Sequence, residues 1–109
     1  MLIFPLKKEW YEKIKSGEKR IEYREVKPYW ERRLNKPFGT LFPAWNGELP
    51  SYPCEFERDL FPCKLRLGYT NRYLTASITM IEVVDGKNTD LHIEKRVYAI
   101  HLADVEEKI

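Results

Sequence analysis

Residues 16–24, SGEKRIEYR, carry five charged side chains in nine positions and only two side chains apolar enough to join a core. If Arg20–Val26 is a strand, its side chains alternate between two faces. Ile21 and Tyr23 then share one face, which we expect to join the core, and the charged side chains share the other. A dense mixture of both charge signs beside a tight turn favours a surface that meets a ligand. The charged face consists of Arg20, Glu22 and Arg24.

The sequence before this stretch predicts a strand and a helix. LIFPL, residues 2–6, is a short apolar run typical of a strand. Leu6, Trp10 and Ile14 are spaced four residues apart, which predicts one buried face of a helix. Gly17 follows this helix at the place where a left-handed residue commonly ends a helix, a conformation that glycine adopts at little cost.

The sequence after this stretch predicts a second helix and three more strands. Pro28 suits a first helical turn, and Trp30 and Leu34 lie four residues apart. Five strands and two early helices, without repeated strand–helix–strand alternation, predict a barrel-like α+β domain. The later strands are predicted at 63–69, 74–84 and 95–105, with core faces formed by Leu65 and Leu67, by Leu74, Ala76, Ile78 and Met80, and by Tyr98, Ile100 and Leu102.

Residues 37–62 lack periodicity and are rich in proline, glycine and aromatic residues, as in FPAWNGELPSYP at residues 42–53. We predict a long ordered aromatic loop inserted into the domain. Loops of this length are usually functional or pack over a cleft. A lid that seals one end of a small barrel is an equally good interpretation. The rings in question are Phe38, Phe42, Trp45 and Phe56.

Length and composition predict one domain, because a chain of 109 residues rarely holds two hydrophobic cores. Hydrophobic residues make up 43% of the chain, which is enough for a compact core. The net charge is only +2, yet residues 7–36 carry eleven Lys or Arg against six Glu, whereas the other residues carry eight against eleven. This basic part suits an anionic partner, and a solvated lysine-rich helix explains the same composition equally well.

The sequence lacks the signals of a membrane or secreted protein. No apolar run reaches the roughly 18 residues that a membrane-spanning helix needs. The beginning, MLIFPLKKEW, becomes charged too early for a signal peptide. We therefore expect a cytoplasmic protein without a membrane partner.

Four side chains, Cys54, Cys63, His92 and His101, are of the types that bind zinc. They include no C-x-x-C pair, and the two histidines are nine residues apart, whereas zinc sites usually show closer ligand pairs. Two cysteines without a secretion signal are more typical of reduced thiols. We therefore expect neither a metal nor another cofactor.

Four features follow one another along the chain. They are Gly17-x-Lys19-x-x-Glu22-x-Arg24 between a helix and a strand, the helix with Trp30, the pair Gly68-Tyr69, and the terminal strand Tyr98-Ala-Ile-His-Leu. In this order and in a chain of this size they resemble the ASCH domain, a relative of the PUA fold. The resemblance spans residues 1–109 except the loop at 37–62. It implies a small PUA-like mixed β-barrel with two short helices near the N-terminus.

The resemblance also implies a cleft bordered by the glycine-containing motif that binds RNA or nucleotide-like ligands. Lys19 and Arg24 suit phosphate oxygens, Arg24 through its two-pronged guanidinium and Lys19 as a point charge. Tyr69 or Trp30 would stack on a base. The expected ligand-binding residues are Lys19, Arg20, Glu22, Arg24, Trp30, Tyr69 and Arg72.

Glu22 has two explanations. It holds Arg20 or Arg24 in place through a salt bridge, or it accepts a proton from a ribose hydroxyl or water while Lys19 stabilises the developing negative charge. The second explanation makes Lys19 and Glu22 catalytic residues. Both stay open at this point.

One activity of the family does not carry over. Some ASCH-like proteins are amidohydrolases of acylated nucleosides, with a threonine nucleophile at the position that Glu22 occupies here. Arg20 stands where the family commonly has another threonine, so neither position offers a hydroxyl nucleophile.

The expected function is therefore the binding of RNA or a nucleotide-containing ligand in a basic cleft. A metal-independent ribonuclease, or another nucleotide hydrolase, is the main alternative, so enzymatic activity is left open. A third interpretation is a protein-interaction module whose aromatic loop, with Trp45 and Tyr52, forms the interface. Phosphate binding weakens steeply with salt, whereas an apolar interface changes little, and this difference separates the interpretations.

Overall fold

The computed structural model describes residues 2–35, 54–55, 57 and 60–108. In these residues the strands are β1 (Leu2–Leu6), β2 (Ile21–Glu25), β3 (Cys54–Glu55), β4 (Pro62–Leu67), β5 (Tyr73–Asp85) and β6 (Arg96–Lys108). The helices are α1 (Lys8–Ser16), α2 (Pro28–Asn35) and a short 3₁₀ helix (Gly86–Asn88). Of these described helices, none is long and apolar enough to cross a membrane.

The described strands form one mixed sheet in the order β1-β4-β5-β6-β2, with β3 paired to β5. Strands β1 and β4 are parallel, and the other neighbours are antiparallel. The sheet curls into a half-barrel, with β1 and β2 as its edge strands. The predicted α+β class, with a barrel-like sheet and two helices near the N-terminus, is therefore confirmed.

Apolar side chains fill the inside of the curled sheet. Tyr98, Ile100 and Leu102 of β6 are all buried, as their alternation predicts. Trp30 and Leu34 of α2 are buried as well, so the stripe predicted for the second helix is confirmed.

Strand β5 does not follow the predicted face along its whole length. Its register shifts between Ile78 and Met80, where one extra residue interrupts the pairing with β6. Such a bulge moves the following side chains to the opposite face. Ile81 is therefore buried, and Met80 is only half-buried, which corrects the prediction that Met80 belongs to the core.

Helix α1 buries a different stripe from the predicted one. Leu6 belongs to β1, and the buried residues of the helix are Tyr11 and Ile14. Trp10 lies beside this stripe and is half-buried. Gly17 ends the helix as predicted, with φ 86° and its N–H donating to the Ile14 carbonyl at 3.1 Å.

Strand β2 alternates as predicted, but its charged face points inward. Glu22 is 4% exposed, whereas Ile21 and Tyr23 are half-buried. The expectation that Ile21 and Tyr23 join the core is therefore wrong. Glu22 pairs with Ile100 of β6 and shares its inward face, and the two cations beside Glu22 compensate for the burial of a carboxyl.

The aromatic loop predicted over residues 37–62 lies mainly outside the described residues. Phe38, Phe42, Trp45 and Phe56 belong to the undescribed part, as does the interface predicted around Trp45 and Tyr52. Within the described part of this range, residues 54–55 form strand β3 rather than loop, and Pro62 begins β4.

A hydrogen-bonded cluster joins α1 to the end of β6. The hydroxyl of Tyr11 donates to Glu107 Oε2 at 2.8 Å, and Arg72 Nη2 donates to the same oxygen at 2.9 Å. Lys15 Nζ lies 3.1 Å from Glu107 Oε1. The hydrogen bond from Tyr11, followed by that from Lys15, lowers the pKa of Glu107 to about 2. Burial, followed by the hydrogen bond to Glu107, raises the pKa of Tyr11 to about 12.

Acid should weaken the fold partly through Glu107. Because its pKa is lowered by folding, its contribution to stability is complete above pH 4.5 and is lost as the pH falls toward about 2. Glu107→Gln should therefore melt below the wild type at neutral pH, and the two melting temperatures should converge in acid. Thermal melts followed by circular dichroism across this range test the prediction. Glu94→Gln, at an exposed carboxyl, is the control, and a gap for Glu107→Gln that stays constant with pH would contradict it.

Candidate functional site

The candidate site lies at the open side of the half-barrel, between the edge strands β1 and β2. Arg24 of β2 spans this opening, and its Nη2 donates to the Pro5 carbonyl of β1 at 2.9 Å. A cleft of about 330 Å³, called the main cleft below, lies here. Its walls are Pro5, Leu6, Lys7 and Trp10, then Lys19, Glu22–Glu25 and Lys27, then Trp30, and finally Asp90 and Leu91.

Glu22 is the most buried charged side chain of the main cleft. Its Oε1 accepts from the Tyr23 N–H at 3.1 Å and lies 3.5 Å from Lys19 Nζ, and its Oε2 lies 3.6 Å from Arg24 Nη2. Glu22 Oε2 and Arg24 Nε make no hydrogen bond with any described residue. Burial raises the pKa of Glu22 above its usual value of 4.5, and the charges of Arg24 and Lys19 oppose this shift.

Lys19 is held from four sides. Its ammonium donates to Asp90 Oδ2 and neighbours Glu22. It also lies 4.6 Å from the centre of the Trp10 ring and 5.5 Å from that of Tyr23. Two carboxylates and two ring faces therefore surround one cation whose side chain is only 11% exposed.

Asp90 reaches Lys19 because backbone hydrogen bonds hold the two ends of the β5–β6 connection close together. The N–H of Gly86 donates to the Lys95 carbonyl at 2.8 Å, and the N–H of Ile93 donates to the Gly86 carbonyl at 3.3 Å. A Cβ on Gly86 would lie 2.6 Å from the Lys95 oxygen, so glycine permits this close approach. Thr89 Oγ1 also donates to the Gly86 carbonyl, at 2.9 Å, and fixes the backbone next to Asp90.

Arg24 lies over aromatic rings on the other side of Glu22. Its guanidinium carbon is 4.9 Å from the centre of the Trp30 ring and 5.5 Å from that of Phe4. Phe4 and Trp30 are themselves stacked, with ring centres 5.2 Å apart. The stacked rings of β1 and α2 thus form an aromatic platform under the guanidinium, which holds it across the opening.

Two exposed lysines lie at the rim of the main cleft. Lys27 Nζ pairs with Glu25 Oε2 at 2.9 Å, and the Lys27 side chain is 57% exposed. Lys7 is exposed and makes no ion pair with a described residue. The rim is therefore more accessible to an anion than the deeper cations Lys19 and Arg24 are.

A second depression of about 330 Å³ adjoins the main cleft. The two share Trp10, Lys19, Tyr23 and Asp90, so these four side chains form the partition between them. The second depression is completed by Lys13, Glu18, Arg20 and Ile21.

The structure brings some of the predicted ligand-binding residues together and separates others. Lys19, Glu22, Arg24 and Trp30 all line the main cleft, and Arg20 lines the adjoining depression. Tyr69 and Arg72 line neither. Arg72 pairs with Glu107 near Tyr11, and Tyr69 is 95% exposed on the turn between β4 and β5.

Three of the cleft residues that were not predicted from the sequence to contact a ligand, Trp10, Tyr23 and Asp90, surround Lys19. The spacing of Trp10 and Tyr23 in the sequence is that of core residues. In the structure both are half-buried and line the cleft. Asp90 lies 71 residues after its partner Lys19, and no local pattern connects the two.

The described residues hold no group of three His, Cys, Asp or Glu side chains that converges as a metal site. His101 Nε2 lies 2.8 Å from Glu82 Oε1 in a paired contact. Cys63 is a buried free cysteine, and burial raises the pKa of its thiol to about 12, so it is not a reactive thiolate at neutral pH.

The main cleft combines a buried carboxyl, two deeper cations, two tryptophan rings and two rim lysines. Hydrogen-bonding groups between ring faces suit a planar polar ligand, and rim cations suit an anionic group attached to it. Comparison of the chain with protein-family models, with curated proteins and with solved structures found no match.

Proposed function

We propose that the chain is an ASCH-type, PUA-like domain that binds RNA or a nucleotide-containing ligand in the main cleft. In this proposal the nucleobase enters the cleft and the phosphate stays at the rim. One observation carries it: Glu22 is buried in the cleft between Lys19 and Arg24, with Trp10 and Trp30 on the walls. The order of sequence motifs that resembles the ASCH domain is a second, independent support.

The charges in the cleft favour an uncharged group there. Lys19 and Arg24 already compensate Glu22 and Asp90, so a phosphate beside them would meet two carboxylates. At about 4 Å and an effective dielectric constant of 20, each such repulsion amounts to about 4 kcal/mol and offsets the attraction of one cation, so these four charges give a phosphate little net stabilisation. A nucleobase avoids this repulsion, because its N–H groups can donate to Glu22 and its carbonyl or ring nitrogen can accept from Arg24.

The rim of the main cleft offers two lysines that can bind the phosphate. Lys7 makes no ion pair with a described residue, and Lys27 is more than half exposed, so both can neutralise an anion without breaking a buried pair. This arrangement differs from the sequence-based expectation, in which Lys19 and Arg24 contact phosphate directly. That expectation stays a prediction that the experiment below tests together with the proposal.

Nucleoside and nucleotide binding should respond differently to two substitutions. Trp10→Ala should weaken the binding of both a nucleoside and its 5′-monophosphate about tenfold, since stacking on an aromatic ring is worth about 1–3 kcal/mol per base. Lys7→Gln should weaken only the monophosphate, by about threefold, because Lys7 contacts only the phosphate in this proposal. Titration calorimetry with the four common nucleosides and their monophosphates measures both effects.

Lys87→Gln is the matched control, since Lys87 is an exposed lysine on the 3₁₀ helix and does not line the cleft. The proposal is wrong if none of these compounds, and no single-stranded RNA, binds the wild type. It is also wrong if the monophosphates and inorganic phosphate bind equally tightly while the nucleosides do not bind, because the nucleobase would then contribute nothing to binding in the cleft.

A metal-independent nucleotide hydrolase is the second candidate, and the environment of Glu22 favours it. A carboxyl with a raised pKa, 3.5 Å from an ammonium and inside a cleft, is typical of a general base. In this candidate Glu22 takes a proton from water or a ribose hydroxyl, and Lys19 stabilises the negative charge that develops. Product analysis after incubation with RNA and nucleotides separates a hydrolase from a binding protein.

A further inference from the structure

Tyr69 has an unusual position among the aromatic side chains of the described residues. It is 95% exposed, whereas the next most exposed aromatic side chain, Tyr29, is 49% exposed and packs edge-on against Trp30. A tyrosine ring in full contact with water gains nothing for the fold, because it buries no apolar area. Its position therefore calls for an explanation other than stability.

The turn that carries Tyr69 is held by several hydrogen bonds. Leu67 N–H donates to the Arg72 carbonyl at 3.0 Å, and the N–H and hydroxyl of Thr70 donate to the Leu67 carbonyl at 3.0 and 2.7 Å. Gly68 takes φ 55°, a left-handed conformation that glycine adopts at little cost. The backbone on both sides of Tyr69 is therefore fixed, and the exposed ring projects from an ordered turn.

The same turn lies next to the rim of the main cleft. Leu6 of β1 pairs with Leu67 of β4, and the Gly68 N–H donates to the Leu6 carbonyl at 2.9 Å. Lys7, which lines the main cleft, directly follows Leu6. Tyr69 directly follows Gly68, so its turn adjoins the rim of the main cleft at Lys7.

Three basic residues lie close to this turn along the chain or along the paired strands β1 and β4. Lys7 and Lys8 are exposed, and Arg66 on β4 is half-buried and pairs with Pro5 in the parallel ladder. None of these three cations makes an ion pair with a described residue. A fully exposed ring on a turn that adjoins Lys7, together with cations that make no ion pair with a described residue, matches the composition of a single-strand nucleic-acid surface, in which bases stack on rings and phosphates contact cations.

We propose that Tyr69 is a second stacking position for a single-stranded nucleic acid, whose neighbouring nucleotide occupies the main cleft. In this arrangement the sugar–phosphate backbone of the nucleic acid passes over Lys7 and Lys8 between the two stacking positions. This inference rests on the proposed function and extends it, because it makes an oligonucleotide, rather than a mononucleotide, the ligand that uses the whole surface. The bases of a duplex are stacked on one another and leave no free face for Tyr69. A protein partner would require a contiguous apolar patch, whereas the rest of this turn consists of Gly68, Thr70, Asn71 and Arg72.

Binding of an oligonucleotide and of mononucleotides should therefore depend differently on Tyr69. Tyr69→Ala should weaken the binding of a fluorescein-labelled single-stranded RNA of six nucleotides about tenfold, as expected for the loss of one stacked base. It should leave the affinity for the four nucleoside 5′-monophosphates unchanged. Tyr69→Phe keeps the ring and is the matched variant, which should bind the hexanucleotide within about twofold of the wild type. Fluorescence anisotropy measures the hexanucleotide, and calorimetry measures the monophosphates.

The salt dependence tests the path of the backbone. Each of Lys7→Gln and Lys8→Gln should reduce the slope of log K against log salt by about 0.7 for the hexanucleotide, the value for one lost phosphate contact on a single strand. The inference is overturned if Tyr69→Ala binds the hexanucleotide as the wild type does, or if it loses monophosphate affinity to the same extent. A wild type that binds neither ligand overturns the proposed function itself, which is a distinct result.

Discussion

Lys19→Met is expected to lose about 3–5 kcal/mol of the free energy of unfolding, because it removes one partner of a buried ion pair and leaves the other charged. Lys19 lies between Glu22, whose side chain is 5% exposed, and Asp90, and it is itself only 11% exposed. Methionine has a similar length and preserves the packing against Trp10. The lost stability therefore reports the unpaired carboxylates rather than a cavity.

Chemical denaturation at neutral pH measures this loss, and Lys27→Met provides the comparison. Lys27 pairs with Glu25 at the surface and is 57% exposed, so its replacement should change stability by no more than about 0.5 kcal/mol. Adding Glu22→Gln to Lys19→Met should restore part of the loss, because the buried carboxylate is then removed as well. Equal effects of Lys19→Met and Lys27→Met would show that the Lys19 pair has the character of a surface salt bridge.

This expectation shows what local sequence patterns reveal and what they miss. Lys19, Glu22 and Arg24 lie within six residues, so strand alternation alone places Glu22 and Arg24 on one face. Asp90, by contrast, reaches Lys19 only through the closed connection after Gly86. A contact across 71 residues depends on the path of the whole chain and has no local signal.

The direction in which the charged face points could not be predicted from alternation. Period-two spacing separates Ile21 and Tyr23 from Glu22, but it does not say which set lies inside. Hydrophobicity favours Ile21 and Tyr23, and the structure instead buries Glu22, because Lys19 and Arg24 compensate its charge. Polar groups that local rules place at the surface are found inside mainly where a site uses them.

Two other differences between the sequence-based predictions and the structure also have specific causes. The bulge between Ile78 and Met80 exchanges the faces of β5, and a one-residue insertion leaves no mark in an apolar pattern. Tyr69 was expected to stack on a base in the cleft, but the position of its turn relative to the cleft depends on the pairing of β4 with β1. Helix α2 and the end of α1 at Gly17 were predictable, since proline, glycine and four-residue spacing act locally.

For the hydrolase candidate, Glu22→Gln is expected to reduce turnover at least about 100-fold while binding is retained. Glutamine has the size of glutamate and keeps an acceptor near Lys19, but it cannot take up a proton. The pH dependence of turnover should also report Glu22 as the general base. Because burial raises the pKa of Glu22, and only the ionised form is a base, activity of the wild type should rise with pH through a value above 4.5. The variant should lack this rise.

Glu94→Gln is the control for this experiment, since Glu94 is an exposed carboxyl that does not line the cleft. It should keep the turnover and the pH profile of the wild type. A purely structural Glu22 gives a different result, because Glu22→Gln then changes the melting temperature and leaves the pH profile of any activity unchanged. Full activity and full stability in Glu22→Gln would contradict both roles, since a buried carboxyl between two cations would then serve neither the fold nor the reaction.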